Sequence, residues 1–237
     1  MSMQERIRSV EERIAAACDR SGRKAEDVHM IAVTKYVSLD TAREAFNCGL
    51  SNLGENRWQD AQEKWLALSG GEQASNDGKP VWHFIGSLQT NKVKDVIGKF
   101  TYIHSLDRLS LAEAIHKRAA QLGINVPCFI QVNVSGEESK HGLQPEELSA
   151  FLDKLADFPG VRPIGLMTMA PYESKPEDTR PVFRALRQLR DEIRATSAHA
   201  EDLIHLSMGM SNDFEVAIEE GATWVRLGTT LVGKEEE

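Results

Sequence analysis

Val28-His29-Met30-Ile31-Ala32-Val33-Thr34-Lys35 reads as a β-strand that ends on an amine. The run is apolar and rich in branched residues, which suits a strand buried on both faces. Lys35 stands where such a strand should stop and a chemical site can begin. A poorly hydrated amine disfavours its charged form and becomes a nucleophile able to condense with an aldehyde. A lysine just past a strand also commonly sits in water and blocks edge pairing, so the choice between the two depends on the rest of the chain.

Outward from that run, apolar segments alternate regularly with helical patterns. Strands are predicted over 28–36, 50–54, 81–86, 102–105, 127–135, 162–167, 203–208 and 223–227. Helices are predicted over 39–48, 57–68, 90–99, 108–122, 145–157, 176–198 and 212–220, one after each of the first seven strands. Ser38 before Leu39 and Ser211 before Asn212 are suitable N-caps. Crossovers between parallel strands are right-handed, and eight in succession close most simply into a single (β/α)8 TIM barrel. The competing doubly wound open sheet lacks its Gly-x-Gly-x-x-Gly fingerprint here.

Before the first strand, Ile7, Val10, Ile14 and Ala17 recur at helical spacing among charges, which predicts an amphipathic N-terminal helix over 1–21 instead of a signal h-region. The Gly, Ser and Asn content of 69–80 reads as a surface loop. A single domain over 1–237 is expected, since the first strand begins at 28 and the last ends at 227.

Composition narrows the function. Hydrophobic residues make up 41% and charged residues 27%, values of an ordinary globular chain. With 28 Lys and Arg against 36 Asp and Glu, the net charge of −8 argues against nucleic acid, which needs clustered cations. No stretch approaches membrane-spanning length. Cys18, Cys48 and Cys128 are odd in number, widely spaced and without a Cys-x-x-Cys pair, which predicts a reducing, cytoplasmic setting. No large apolar interface is evident, no metal site is expected, and a monomer is the expected state.

In a barrel, the C-terminal ends of the strands open into a common mouth, which gives Lys35 a location, and phosphates are often held after strands seven and eight. Ser207-Met208-Gly209-Met210-Ser211 offers close backbone approach at Gly209 and a helix start at Ser211 that attracts an anion. Arg226-Leu227-Gly228-Thr229-Thr230 offers amides and hydroxyls. Either turn alone would be an ordinary capped turn. Together, beside strand one, they bring aldehyde-binding and phosphate-binding groups around one small molecule. Pyridoxal 5′-phosphate carries both functions.

The motifs Ala32-Val33-Thr34-Lys35, Gly54-Glu55-Asn56, Trp82-His83-Phe84-Ile85-Gly86-Ser87-Leu88-Gln89-Thr90-Asn91-Lys92, His104-Ser105-Leu106-Asp107, Gln131-Val132-Asn133, Lys140-His141-Gly142 and Gly165-Leu166-Met167 stand in order before the two loops just quoted. Nearly end to end, the chain resembles the pyridoxal phosphate homeostasis protein family, also called the YggS or PROSC family. The resemblance implies a barrel of the alanine racemase N-terminal domain type and a Schiff base between pyridoxal phosphate and Lys35. It also implies a phosphate site at Ser211, Gly228 and Thr229, with Arg226 facing the pyridine nitrogen. Asn56, Met167, Ser207 and Met208 complete the expected site, Asn56 as a hydrogen-bonding partner and the methionines as apolar walls, a role core methionines also fill. Arg57 departs from the family's usual tyrosine after Gly-Glu-Asn.

A cation beside the pyridine nitrogen keeps it unprotonated and weakens the ring as an electron sink. Alanine racemases share the barrel and such an arginine, but add a second β domain and a tyrosine acid/base. Here the phenols are Tyr36, Tyr102 and Tyr172, and strand alternation points Tyr36 away from the Lys35 face. The expectation is a binding protein of intracellular vitamin B6 homeostasis with little or no turnover, whose partners are apo-forms of pyridoxal phosphate enzymes. A racemase-type enzyme and a Schiff-base aldolase acting on a sugar phosphate are the alternatives. His83 and His104 suit either packed core positions or acid/base roles. Lys92 and Lys140 suit either anion attraction or plain solvation.

Overall fold

The computed structural model describes residues 1–70, 78–136, 141–171 and 174–235. Its centre is a closed barrel of eight parallel strands in chain order. The strands are β1 (His29–Val33), β2 (Asn52–Glu55), β3 (Val81–Phe84), β4 (Tyr102–Leu106), β5 (Val126–Gln131), β6 (Val161–Met167), β7 (His205–Met210) and β8 (Trp224–Leu227). Closure is made by β1 on β8, with His29 opposite Trp224 and Ala32 opposite Leu227. The eight-unit pattern expected from the sequence is therefore the architecture observed.

Helices α1 (Met3–Ser21), α2 (Leu39–Asn47), α3 (Trp58–Ser69), α4 (Val93–Val96), α5 (Leu109–Leu122), α6 (Leu148–Leu155), α7 (Arg180–Thr196), α8 (Phe214–Glu219) and α9 (Thr229–Val232) surround the strands. The Ser2 hydroxyl and the Glu5 carboxylate close a capping box on α1, and Gly22 ends it in the left-handed region at φ 68°. That helix packs on α8 and α9, and Arg6 donates to the carbonyls of Leu231 and Val232. It thus covers the barrel beside β8, where α9 has only four residues.

Several boundaries differ from the sequence reading for local reasons. The first strand stops at Val33 instead of reaching 36, because Val37 N–H turns back to the Thr34 carbonyl. The fifth stops at Gln131, after which Val132 makes a lone bridge to Leu143. The helix expected over 90–99 is a 3-10 turn, Thr90–Lys92, and a single α turn ended by extended Ile97 and Gly98 at φ 96°. Of the loop expected over 69–80, Ser69 closes α3 and residues 71–77 lie outside the described residues. Tyr172 and Lys140 also lie outside them.

The larger apolar cluster fills the layer between strands and helices. A smaller one, Ile31, Phe129, Ile164, Met167 and Trp224 with Tyr102 against it, forms separately inside the barrel. No helix among the described residues is long and apolar enough to cross a membrane.

Candidate functional site

A cavity of about 590 Å³ opens at the C-terminal ends of the strands, within the range of small-molecule sites. Lys35, Asn56, Ser211, Arg226, Gly228 and Thr229 all line it. Of the other expected site residues, Met167 lies in the interior apolar cluster below, Ser207 is wholly buried behind Arg226, and Met208 faces the outer layer. Met208 and Ser207 are adjacent on one strand, so alternation turns only one of them inward. Gly209, at φ 93°, carries the chain close over α8, where an added Cβ would stand 2.6 Å from Ala217 Cβ.

The turn that carries Lys35 is anchored from outside the barrel. Thr34 donates its hydroxyl to Glu55 Oε1 at 2.7 Å, while Lys64 Nζ donates to that same oxygen at 2.9 Å and to the Thr34 carbonyl at 2.6 Å. The Lys64 and Glu55 side chains are 7% and 0% exposed. Burial, the largest influence, raises the Glu55 carboxyl above the usual carboxylate range against the pull of Lys64. From this anchor the half-buried Lys35 enters the cavity, with Nζ 4.6 Å from the Tyr36 ring centroid. The two side chains are neighbours, contrary to the alternation expected from the sequence, because alternation holds only within a strand and β1 has already ended.

On the next wall, Asn56 brings a buried Oδ1 that has no hydrogen-bond partner among the described residues. The loop that carries it passes so close to β3 that a Cβ at Gly86 would lie 2.2 Å from the Asn56 carbonyl oxygen. Such an orphaned acceptor costs free energy unless a ligand or water meets it.

Opposite these, Ser211 accepts the Gly228 N–H at 3.3 Å, tying the two loops of the expected phosphate end together. Ser211 does not cap α8. The helix starts later, behind Asp213, whose Oδ1 accepts the Met210 N–H at 2.7 Å. Asp213 also lines the cavity, and burial raises its carboxyl. A Cβ at Gly228 would meet nothing nearer than Val33 Cβ at 3.8 Å, so the glycine leaves room for a ligand above the amides.

Arg226 forms the floor and is 5% exposed. Its Nη1 donates to Ser207 Oγ at 2.6 Å and its Nη2 to the Thr168 carbonyl at 3.0 Å. Burial lowers its pKa to about 10, which leaves it a cation at neutral pH. His83 and His104 lie below it, buried and hydrogen-bonded to each other, rather than on the cavity wall. Lys92 and Arg57 line a neighbouring cleft instead.

Tyr36, Gln131, His141 and Asp213 also line the cavity and were not singled out as site residues from sequence. For Gln131 and His141 the available signal was their place in motifs at the end of strand five and in the loop that follows it. For Asp213 it was the acidic residue two positions after Ser211.

The profile of the alanine racemase N-terminal domain family matches residues 9–236. A pyridoxal phosphate homeostasis protein of Aquifex aeolicus is 49% identical over 234 residues, covering 99% of both chains. Its Escherichia coli counterpart is 36% identical over 234 residues, 96% of this chain and 94% of that one. The structure of PipY from Synechococcus elongatus with pyridoxal phosphate bound superposes with a TM-score of 0.83 at 33% identity, over 98% of this chain and 100% of that one. An alanine racemase of Clostridium difficile, at 15% identity and TM-score 0.67, covers 98% of this chain with 58% of its own and shares the fold.

Proposed function

We propose, from the premise that this chain belongs to the pyridoxal phosphate homeostasis proteins of the alanine racemase N-terminal domain family, that it binds pyridoxal 5′-phosphate reversibly and contributes to its supply inside the cell. One observation carries the reading: the half-buried amine of Lys35, the orphaned Oδ1 of Asn56, the joined Ser211–Gly228 loops and the Arg226 cation share one cavity. The cofactor supplies an aldehyde that condenses with an amine, releasing one water, together with a phosphate and a pyridine nitrogen.

Lys35 is the anchoring amine in this reading. Ser211, Gly228 and Thr229 receive the phosphate through a hydroxyl and backbone N–H groups, and Asn56 satisfies its buried acceptor on a ligand donor. Arg226 can only donate hydrogen bonds, so it favours an unprotonated ring nitrogen, which makes the ring a weak electron sink and sets the site toward holding over turnover.

A second reading, amino acid racemisation, draws on Tyr36 and His141, which both reach the cavity with Lys35. Proton donors need fixed positions to act. Tyr36 is 79% exposed, and no hydrogen bond orients its hydroxyl or the His141 ring among the described residues. Tyr36 also stands beside Lys35 and not across from it. Binding without turnover is therefore preferred.

The test is borohydride reduction after incubation with pyridoxal phosphate, followed by peptide mass mapping. A phosphopyridoxyl group on Lys35, absent in Lys35→Ala, is expected; an unmodified Lys35 refutes the assignment. Transfer of the ligand to an apo-enzyme, with no amino acid turnover by the protein alone, separates the carrier from the racemase.

A further inference from the structure

Below the cavity runs a hydrogen-bonded chain that ligand contact does not explain. Arg226 Nη1 donates to Ser207 Oγ at 2.6 Å. His104 Nδ1 lies 2.9 Å from that oxygen, His104 Nε2 lies 3.0 Å from His83 Nδ1, and His83 Nε2 lies 3.1 Å from Asn52 Oδ1. The rings are held flat by stacking, His83 on Tyr102 at 4.7 Å and His104 on Phe129 at 4.2 Å between centroids.

Donor and acceptor chemistry fixes the sense of every link. An amide oxygen only accepts and a guanidinium only donates. Asn52 Oδ1 therefore takes the proton of His83 Nε2, which leaves Nδ1 of a neutral ring as an acceptor. His104 must then donate from Nε2 and accept at Nδ1, and the proton it accepts there is that of the Ser207 hydroxyl. The Ser207 lone pairs are thereby turned to Arg226. At the arginine end, Ser207 Oγ accepts the Arg226 N–H and keeps its own proton for His104 Nδ1. Burial keeps both rings neutral, His83 with a pKa of about 3 and His104 well below the ordinary histidine range.

We infer that His83 and His104 are positioning residues, which make Ser207 a one-way acceptor and so clamp Arg226 as an oriented cation under the cavity. With Ser207 Oγ and the Thr168 carbonyl each taking one N–H, the other donors of the guanidinium remain for the ligand. A group meeting them must bring a lone pair. The inference deepens the proposed function and rests on it only for what that group is, the ring nitrogen of pyridoxal phosphate. Reversing the sense would give both Ser207 lone pairs to N–H donors and leave its hydroxyl proton without an acceptor among the described residues.

The deciding measurement is long-range 1H–15N correlation on protein labelled with 15N-histidine and free of added cofactor. His83 and His104 are expected as neutral Nε2–H tautomers. Two variants separate orientation from packing. His83→Gln keeps the sense, since its amide oxygen accepts from His104 and its NH2 donates to Asn52, whereas His83→Leu deletes both roles.

His104 should stay Nε2–H in H83Q and become a mixture with Nδ1–H in H83L. Pyridoxal phosphate retention should fall about tenfold in H83L and stay within about twofold of the parent in H83Q. An Nδ1–H tautomer at His104 in the parent protein, or equal tautomers and equal retention in the two variants, overturns the inference. Parent protein that shows the Nε2–H tautomers yet takes up no pyridoxal phosphate removes the proposed function and leaves the clamp standing.

Discussion

Replacing Lys64 with methionine should destabilise the protein by about 3–5 kcal/mol. The ammonium sits 2.9 Å from Glu55 Oε1 and 2.6 Å from the Thr34 carbonyl, with both charged side chains out of solvent. A buried ion pair contributes little net, because desolvation offsets attraction, but removing one partner strands the other. In the variant Glu55 keeps, among the described residues, only the Thr34 hydroxyl, and its Oε2 has no partner among them. Methionine resembles the lysine stem in bulk, so little of the loss is cavity formation. In a chain of this size about 2–4 °C of melting temperature accompanies each kcal/mol, so a fall of about 6–20 °C is expected.

The pH dependence gives the sharper test. Burial raises the folded-state pKa of Glu55 and Lys64 lowers it. A carboxyl raised on folding contributes stability that is present below its unfolded pKa and lost as pH rises through its folded pKa. Without Lys64 the carboxyl rises further, so the deficit of the variant against the parent must shrink on acidification, as Glu55 takes up its proton. Urea unfolding at neutral and mildly acid pH, with the m-value checked for constancy, measures both quantities. A deficit below about 1 kcal/mol at neutral pH, or one that grows as pH falls, would refute the reasoning. Converting Glu55 to glutamine in the same chain should recover most of the loss, because a neutral amide needs no counter-charge.

Gly86→Ala should cost about 1–3 kcal/mol, since the new methyl would stand 2.2 Å from a backbone oxygen and 2.8 Å from the Cα of Asn56; an unchanged thermal midpoint and unchanged pyridoxal phosphate retention would count against the close approach. His83, buried with its pKa lowered to about 3 by desolvation and by nearby His29, contributes stability that is present above its unfolded pKa and lost as pH falls toward the folded value. The loss is about 1.4 kcal/mol per pH unit below roughly 6.5. His83→Gln should therefore reduce the acid slope of the unfolding free energy by about one proton, and an unaltered slope would place His83 in a solvated environment.

The eight strands were legible because parallel strands buried on both faces appear as unbroken apolar runs, and Lys35 was legible as the residue that ends the first of them. What the sequence hid lies where periodicity stops. Tyr36 was placed opposite Lys35 by extending alternation through a turn, and Met208 was placed at the mouth although Ser207 beside it already faces inward. The N-cap position expected at Ser211 falls instead at Asp213, whose carboxylate turns back to the Met210 N–H, while Ser211 accepts from Gly228. The Glu55–Lys64 pair joins a strand to the helix after it, and only the packing of α3 on the barrel brings the two charges together.

Barrel interiors are ordinarily layers of branched apolar side chains. Here Arg226, Ser207, His104 and His83 occupy that space, each satisfied by the next. Left unpaired, each such group would cost about 1–3 kcal/mol, so the column persists because it is complete, and shortening it at any point exposes the cost at its neighbours. The consequence for a ligand is a gradient of rigidity. At the base, a cation is fixed by two buried acceptors, while at the rim Tyr36 and His141 are exposed. A ligand recognised from below and released from above can be bound specifically without being enclosed, as the proposed reversible binding of pyridoxal phosphate requires.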